Sequence, residues 1–115
     1  LSQREYGDFV DDIVNACRSL INFVKGITFN DYIGDEKTRY AVERVFQIMG
    51  EGVKHLPEEL KMENPQIPWS TMTALRNRIV HGYFSLDDTV LFETIELELK
   101  PLLPPLEELA RKYAN

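Results

Sequence analysis

Between Tyr6 and Val24 the apolar residues fall at Tyr6, Phe9, Val10, Ile13, Val14, Cys17, Leu20, Ile21 and Val24. Steps of three and four gather these side chains on one face only if the backbone is helical, so this run commits the start of the chain to a long amphipathic helix. Ser2-Gln3-Arg4-Glu5 has capping-box spacing at its beginning, and Gly26 stops it. The stretch from Gly26 to Gly34 reads as a connector with a short helical turn around Asp31 and Tyr32. A second helix is predicted from near Asp35 to about His55, with Tyr40, Ala41, Val42, Val45, Phe46, Ile48, Met49 and Val53 as its apolar positions. Gly50 and Gly52 interrupt it at about 1 kcal/mol each relative to Ala, which close backbone packing would offset.

Pro57, Pro65 and Pro68 bracket a linking segment of one or two helical turns, with Pro57 at its first position. A third helix is predicted from about Trp69, with Trp69, Met72, Leu75 and Ile79 on one face. Ser85 or Asp87 caps a fourth along Val90, Leu91, Ile95 and Leu99. Pro101, Pro104 and Pro105 are expected to break or kink that helix before a last helical stretch ending near Tyr113. No segment alternates apolar and polar residues over a strand's length between turn signals. The fold class is therefore all-α, an antiparallel bundle of four or five helices, and 115 residues suit one domain spanning 1–115.

The charge balance narrows function. Asp and Glu outnumber Lys and Arg by 19 to 13, for a net charge of −6. Non-specific nucleic-acid binding draws on clustered cations that neutralise phosphates, so this chain is no general nucleic-acid coat, and any such contact must be local. Cys17 is the single cysteine, which rules out an intrachain disulfide framework and a cysteine-based zinc site. No apolar run approaches the roughly 18–20 residues that span a bilayer, and no basic and apolar leader precedes the first helix. The expectation is a soluble, cytoplasmic protein.

One octapeptide stands apart from this acidic background: Arg76-Asn77-Arg78-Ile79-Val80-His81-Gly82-Tyr83. A guanidinium can hold a planar oxyanion with two hydrogen bonds, and an imidazole can move a proton near neutral pH without a metal. On a helix Arg76 lies at the edge of the Trp69, Met72, Leu75 and Ile79 arc, which predicts partial burial and hence a hydrogen-bonding or anionic partner. Asn77 and His81, four apart, share a face, while Arg76 and His81 are separated by roughly 140° around the axis, a gap the Arg side chain can close. The three could gather one phosphate, with Gly82 loosening the helix beside Tyr83. On spacing alone the same residues also read as surface or salt-bridge groups, and Tyr83 as a half-buried core aromatic with its hydroxyl at the rim. His55 near a helix end reads as a partner for the helix dipole. Glu51, between two glycines, reads either as an acid orienting Arg76 or His81 or as part of a solvated face. Arg78 stays open between nucleic-acid contact and surface.

The octapeptide closes a series of short motifs: Asp35-Glu36-Lys37-Thr38, Ala41-Val42-Glu43, Ile48-Met49-Gly50-Glu51, His55-Leu56-Pro57 and Ile67-Pro68-Trp69. In this order and spacing the chain resembles the HepT-like family of HEPN-domain proteins. The resemblance extends more weakly upstream through Gly26-Ile27-Thr28-Phe29 and downstream through Thr94-Ile95 and the Leu-rich end. Gly52 departs from the pattern, where Ala is expected, and that bears on helix stability and not on the site.

The resemblance implies an all-α bundle forming a homodimer, with the Arg and His motifs of two subunits facing one cleft. It also implies a metal-independent endoribonuclease that needs no cofactor and acts as the toxin of a toxin-antitoxin system. The partner implied is a small nucleotidyltransferase antitoxin, MntA, which transfers AMP onto the motif tyrosine and can join the toxin in a hetero-oligomer. Carried over residue by residue, Arg76 and His81 are catalytic, Asn77 supports the site, and Tyr83 is the residue modified. The competing reading is a non-catalytic helical partner or substrate-binding module of a minimal nucleotidyltransferase. The chain itself lacks the Gly-Ser stretch and spaced Asp-x-Asp metal site of a transferase.

Overall fold

A computed structural model of the chain describes residues 3–82 and 87–114. Its helices are α1 (Gln3–Val24), α2 (Phe29–Ile33), α3 (Glu36–Lys54), α4 (Glu58–Glu63), α5 (Trp69–His81), α6 (Asp88–Glu93) and α7 (Lys100–Tyr113). A π-helical turn, Thr94–Leu99, joins the last two. No strand occurs among the described residues, so the fold is all-α as its periodicity requires.

Side-chain caps fix where the helices begin. Thr28 and Asp31 form a reciprocal capping box at α2, with Asp31 N–H donating to Thr28 Oγ1 at 3.1 Å and Thr28 N–H to Asp31 Oδ2 at 3.0 Å. Asp35 caps α3 by accepting from the Thr38 hydroxyl at 2.6 Å and the Thr38 backbone at 3.2 Å. These bonds favour the ionised carboxylates and hold both Asp31 and Asp35 below the ordinary aspartate value. Asp87 is the N-cap of α6, accepting from Thr89 N–H at 2.8 Å; Ser85, like Ser2 at the start of α1, lies outside the described residues. Pro57 is the N-cap of α4 and not its first helical residue.

Helix α1 is the central staff of the bundle. Phe9 stacks on His55 beyond the end of α3, with ring centroids 4.6 Å apart, while Ile13 lies against Gly52, so α1 and α3 run antiparallel. On its other side Gly7 meets Tyr113 and the Cys17 thiol reaches the Leu99 carbonyl at 3.6 Å, so α1 and α7 also run antiparallel. Val10, Ile13, Cys17 and Leu20 are fully buried between them. Burial pushes the Cys17 thiol up to about 12 and leaves it an unreactive core group.

A further expectation is corrected. The prolines do not break the C-terminal helix: Lys100 N–H bonds back to the Ile95 carbonyl, and α6, the π turn and α7 follow one another without a gap. A π turn widens the helix just before Pro101, and this local change of register accommodates residues that lack an N–H and crowd the preceding turn. Gly52 shows the close packing expected of it. A Cβ there would stand 3.0 Å from Ile13 Cγ1, so the missing methyl lets α1 approach.

The contact at Gly50 is tighter still. A Cβ at this position would overlap the Arg76 Cβ, stand 2.8 Å from its Cγ and 3.0 Å from the Met72 carbonyl oxygen. Helix α3 therefore crosses α5 at a point where no side chain larger than hydrogen fits. Gly50→Ala is expected to destabilise the protein by about 1–3 kcal/mol or more through overpacking. At Gly52→Ala a gain of about 1 kcal/mol in helix propensity offsets pressure on one flexible Ile side chain, leaving stability within about 1 kcal/mol of the parent. Urea unfolding of the two variants measures the contrast, and equal destabilisation would contradict it.

Candidate functional site

Helix α5 is anchored at its start and open at its end. The Trp69 indole N–H is shared between the Lys61 and Asn64 carbonyls at 3.1 and 3.0 Å, tying the first turn of α5 to α4. Trp69, Met72 and Leu75 are buried, while Ile79 is half-buried, so the predicted apolar arc faces the core. At the other end Gly82 N–H donates to the Arg78 carbonyl at 2.8 Å and closes the helix.

Arg76 sits on the edge of that arc with only 15% of its side chain exposed. It has the partner its burial demands: one terminal guanidinium nitrogen, Nη2, makes an ion pair with Glu51 Oε1 on α3. The other, Nη1, donates to Asn77 Oδ1 at 2.9 Å. Nε is buried and has no partner. Glu51 is thus paired with Arg76 across the α3–α5 crossing, with part of its side chain still exposed.

Arg76, Asn77 and His81 line one open cavity of about 560 Å³ together with Lys54, Arg78 and Gly82. These three residues therefore share one cavity, with Asn77 and His81 on the exposed side of α5 and Arg76 reaching round from the core edge. Arg78 contributes to the same wall. Tyr83 lies outside the described residues, and His55 is held apart from the cavity by its stack on Phe9. Lys54 is a cavity residue that the spacing of the octapeptide could not reveal. It stands one turn beyond Gly50, on the face of α3 that meets α5, and only the helix crossing brings it in.

The cavity concentrates three of the chain's 13 lysines and arginines, Lys54, Arg76 and Arg78, beside an imidazole. Cationic donors fanned around an open concavity suit an oxyanion, and the asparagine amide adds a neutral donor. Among the described residues no group of three or more His, Cys, Asp and Glu is arranged to hold a metal ion, and no described helix is long and apolar enough to cross a membrane.

Comparison with known proteins bears on the chain as a whole. Residues 13–112 match the family model described as ribonuclease HepT-like. A protein of Thermococcus cleftensis named "Probable ribonuclease HepT" is 34% identical over 109 residues, covering 95% of this chain and 99% of the relative. A protein of Caldanaerobacter subterraneus named "Putative RNase" is 33% identical over 104 residues, covering 90% of this chain and 93% of that one. A Methanocaldococcus jannaschii protein of the same description is 30% identical over 107 residues, covering 93% and 98%. No solved structure matches the chain.

Two charge-assisted hydrogen bonds of roughly 1.5–3 kcal/mol each put inorganic phosphate binding at about millimolar affinity. A phosphate titration followed by NMR is expected to shift the His81 imidazole and the amides of Arg78 and Lys54, and to leave the middle of α1 unmoved. Shifts spread evenly over the chain would contradict an anion-selecting cavity.

Proposed function

This chain belongs to the ribonuclease HepT-like family, and on that premise we propose that it is an endoribonuclease whose active centre is the cavity of Arg76, Asn77 and His81. The observation that carries the reading is the gathering of a held guanidinium and an exposed imidazole in one cationic cavity of an otherwise acidic protein. Residues 1–115 act as a single domain of this family.

The chemistry follows from what these groups can do. The RNA 2′-hydroxyl loses its proton and attacks the adjacent phosphorus, and the bond from phosphorus to the 5′-oxygen breaks. The products are a 2′,3′-cyclic phosphate and a 5′-hydroxyl, the leaving oxygen having taken up a proton. His81 serves as the general base or acid in these proton movements. Arg76 stabilises the charge that builds on the phosphoryl oxygens, and does so strongly because its guanidinium is already oriented before substrate arrives. Asn77 supports Arg76 through its side-chain oxygen. No step calls on a metal or other cofactor. Two proton transfers call for two groups, and a homodimer with paired motifs supplies the second histidine.

The biological setting we infer is a toxin-antitoxin pair in the cytoplasm. A cognate MntA-like nucleotidyltransferase would transfer AMP to Tyr83, the residue that follows Gly82 of the cavity. Added phosphate there would compete with RNA for Arg76, so inhibition needs no distant conformational change. The family match and the names of the relatives favour this enzyme over a non-catalytic partner module of a nucleotidyltransferase.

His81→Ala and Arg76→Ala are each expected to lower cleavage of a labelled RNA in EDTA by about 10²-fold or more while the helical circular dichroism is kept. Full cleavage by either purified variant contradicts the assignment. Tyr83→Phe is expected to abolish AMP transfer by the cognate enzyme, as read by intact mass. An AMP adduct on another residue of that variant refutes the role of Tyr83.

A further inference from the structure

An arginine that stabilises a developing charge must hold its plane through the reaction, and the long Arg side chain does not do so unaided. A freely rotating guanidinium loses rotamer entropy on each encounter and reaches the phosphate in many orientations. Here the side chain leaves α5 against Gly50, where the absence of a Cβ seats it on the backbone of α3. The next residue, Glu51, then meets its Nη2 nitrogen, and Asn77 meets Nη1 from the same helix. Glu51 is itself 39% exposed, so its carboxylate lies at the rim of the core and not within it.

We propose that Glu51 is the positioning residue for Arg76, fixing the guanidinium so that its terminal nitrogens face the scissile phosphate. The proposal rests on the reading of Arg76 as the phosphate-binding group. Each terminal nitrogen carries two protons. Glu51 and Asn77 engage one nitrogen each, which leaves a proton on both for the phosphate. Nε is sealed in the core and gives RNA nothing, so the phosphate meets the guanidinium end-on. Glu51 also works against RNA: it places a negative charge beside the bound phosphate. It therefore has opposite effects on binding and on turnover, a signature that a merely structural ion pair lacks.

Glu51→Gln keeps the length and shape of the side chain and removes the charge. With labelled RNA in EDTA, the variant is expected to show kcat lowered about 10- to 100-fold, as misplacement of a catalytic group does, while KM is unchanged or lower. Glu51→Asp, too short to reach, is expected to lower kcat at least as far without the improvement in KM. An unchanged kcat in both variants, or KM and kcat worsening together with loss of helical signal, overturns the proposal. A second readout needs no activity. In 15N-arginine spectra the Arg76 terminal N–H groups are expected to show slow rotation in the parent chain and fast averaging in Glu51→Gln. Identical Arg76 signals in the two overturn the positioning role even if the parent cleaves no RNA, whereas a parent that holds Arg76 through Glu51 but leaves RNA intact refutes the ribonuclease reading alone.

Discussion

The approach of α3 to α5 at Gly50 is the constraint on which the rest of the site depends. Two helices normally keep 8–10 Å between axes because side chains stand between them. At Gly50 nothing stands there, and the Arg76 stem and the Met72 carbonyl fill the place of a Cβ. Three consequences follow from one missing methyl. Arg76 is drawn to the edge of the core, Glu51 on the next step of α3 comes within reach of its guanidinium, and Lys54 one turn further on enters the cavity wall. A larger residue at position 50 would separate all three at once.

Charge gives this local geometry its meaning. The chain as a whole repels polyanions, so long-range attraction cannot carry an RNA strand to it. What remains is a short-range arrangement in which Lys54, Arg76 and Arg78 face one concavity and the acids lie elsewhere, apart from the one that pairs Arg76. Burying most of a guanidinium is costly without a partner, and Glu51 and Asn77 meet that cost while leaving donors for an incoming phosphate. On the proposed reading, an oriented cation stabilises developing charge better than a mobile one, which would let so acidic a protein act on a phosphodiester.

Much of this was legible in the residues alone. The helical periods placed α1, α3 and α5 within a residue or two, because amphipathic spacing and caps such as Asp35 are local signals. Partial burial of Arg76 followed from its place beside Trp69, Met72 and Leu75, and the structure bears it out. Its partner Glu51 was among the acids the residues offered, but the choice between Arg76, His81 and a solvated face needed the tertiary crossing, which no local pattern encodes. Lys54 was missed for the same reason. Of the break or kink expected at the three prolines near position 100, the break does not occur, because local propensity does not include the option of a π turn that lets the helix run on. The close packing that Gly52 called for is supplied by Ile13 of α1, a partner its own helix could not name.

The central claim is that a metal-free cavity of Arg76 and His81 cleaves RNA by attack of its own 2′-hydroxyl. The most direct measurement is mass spectrometry of the termini left on a defined oligoribonucleotide by the purified protein in excess EDTA. The account predicts 2′,3′-cyclic phosphate and 5′-hydroxyl ends. Ends bearing a 3′-hydroxyl and a 5′-phosphate, or an RNA left whole, would contradict it.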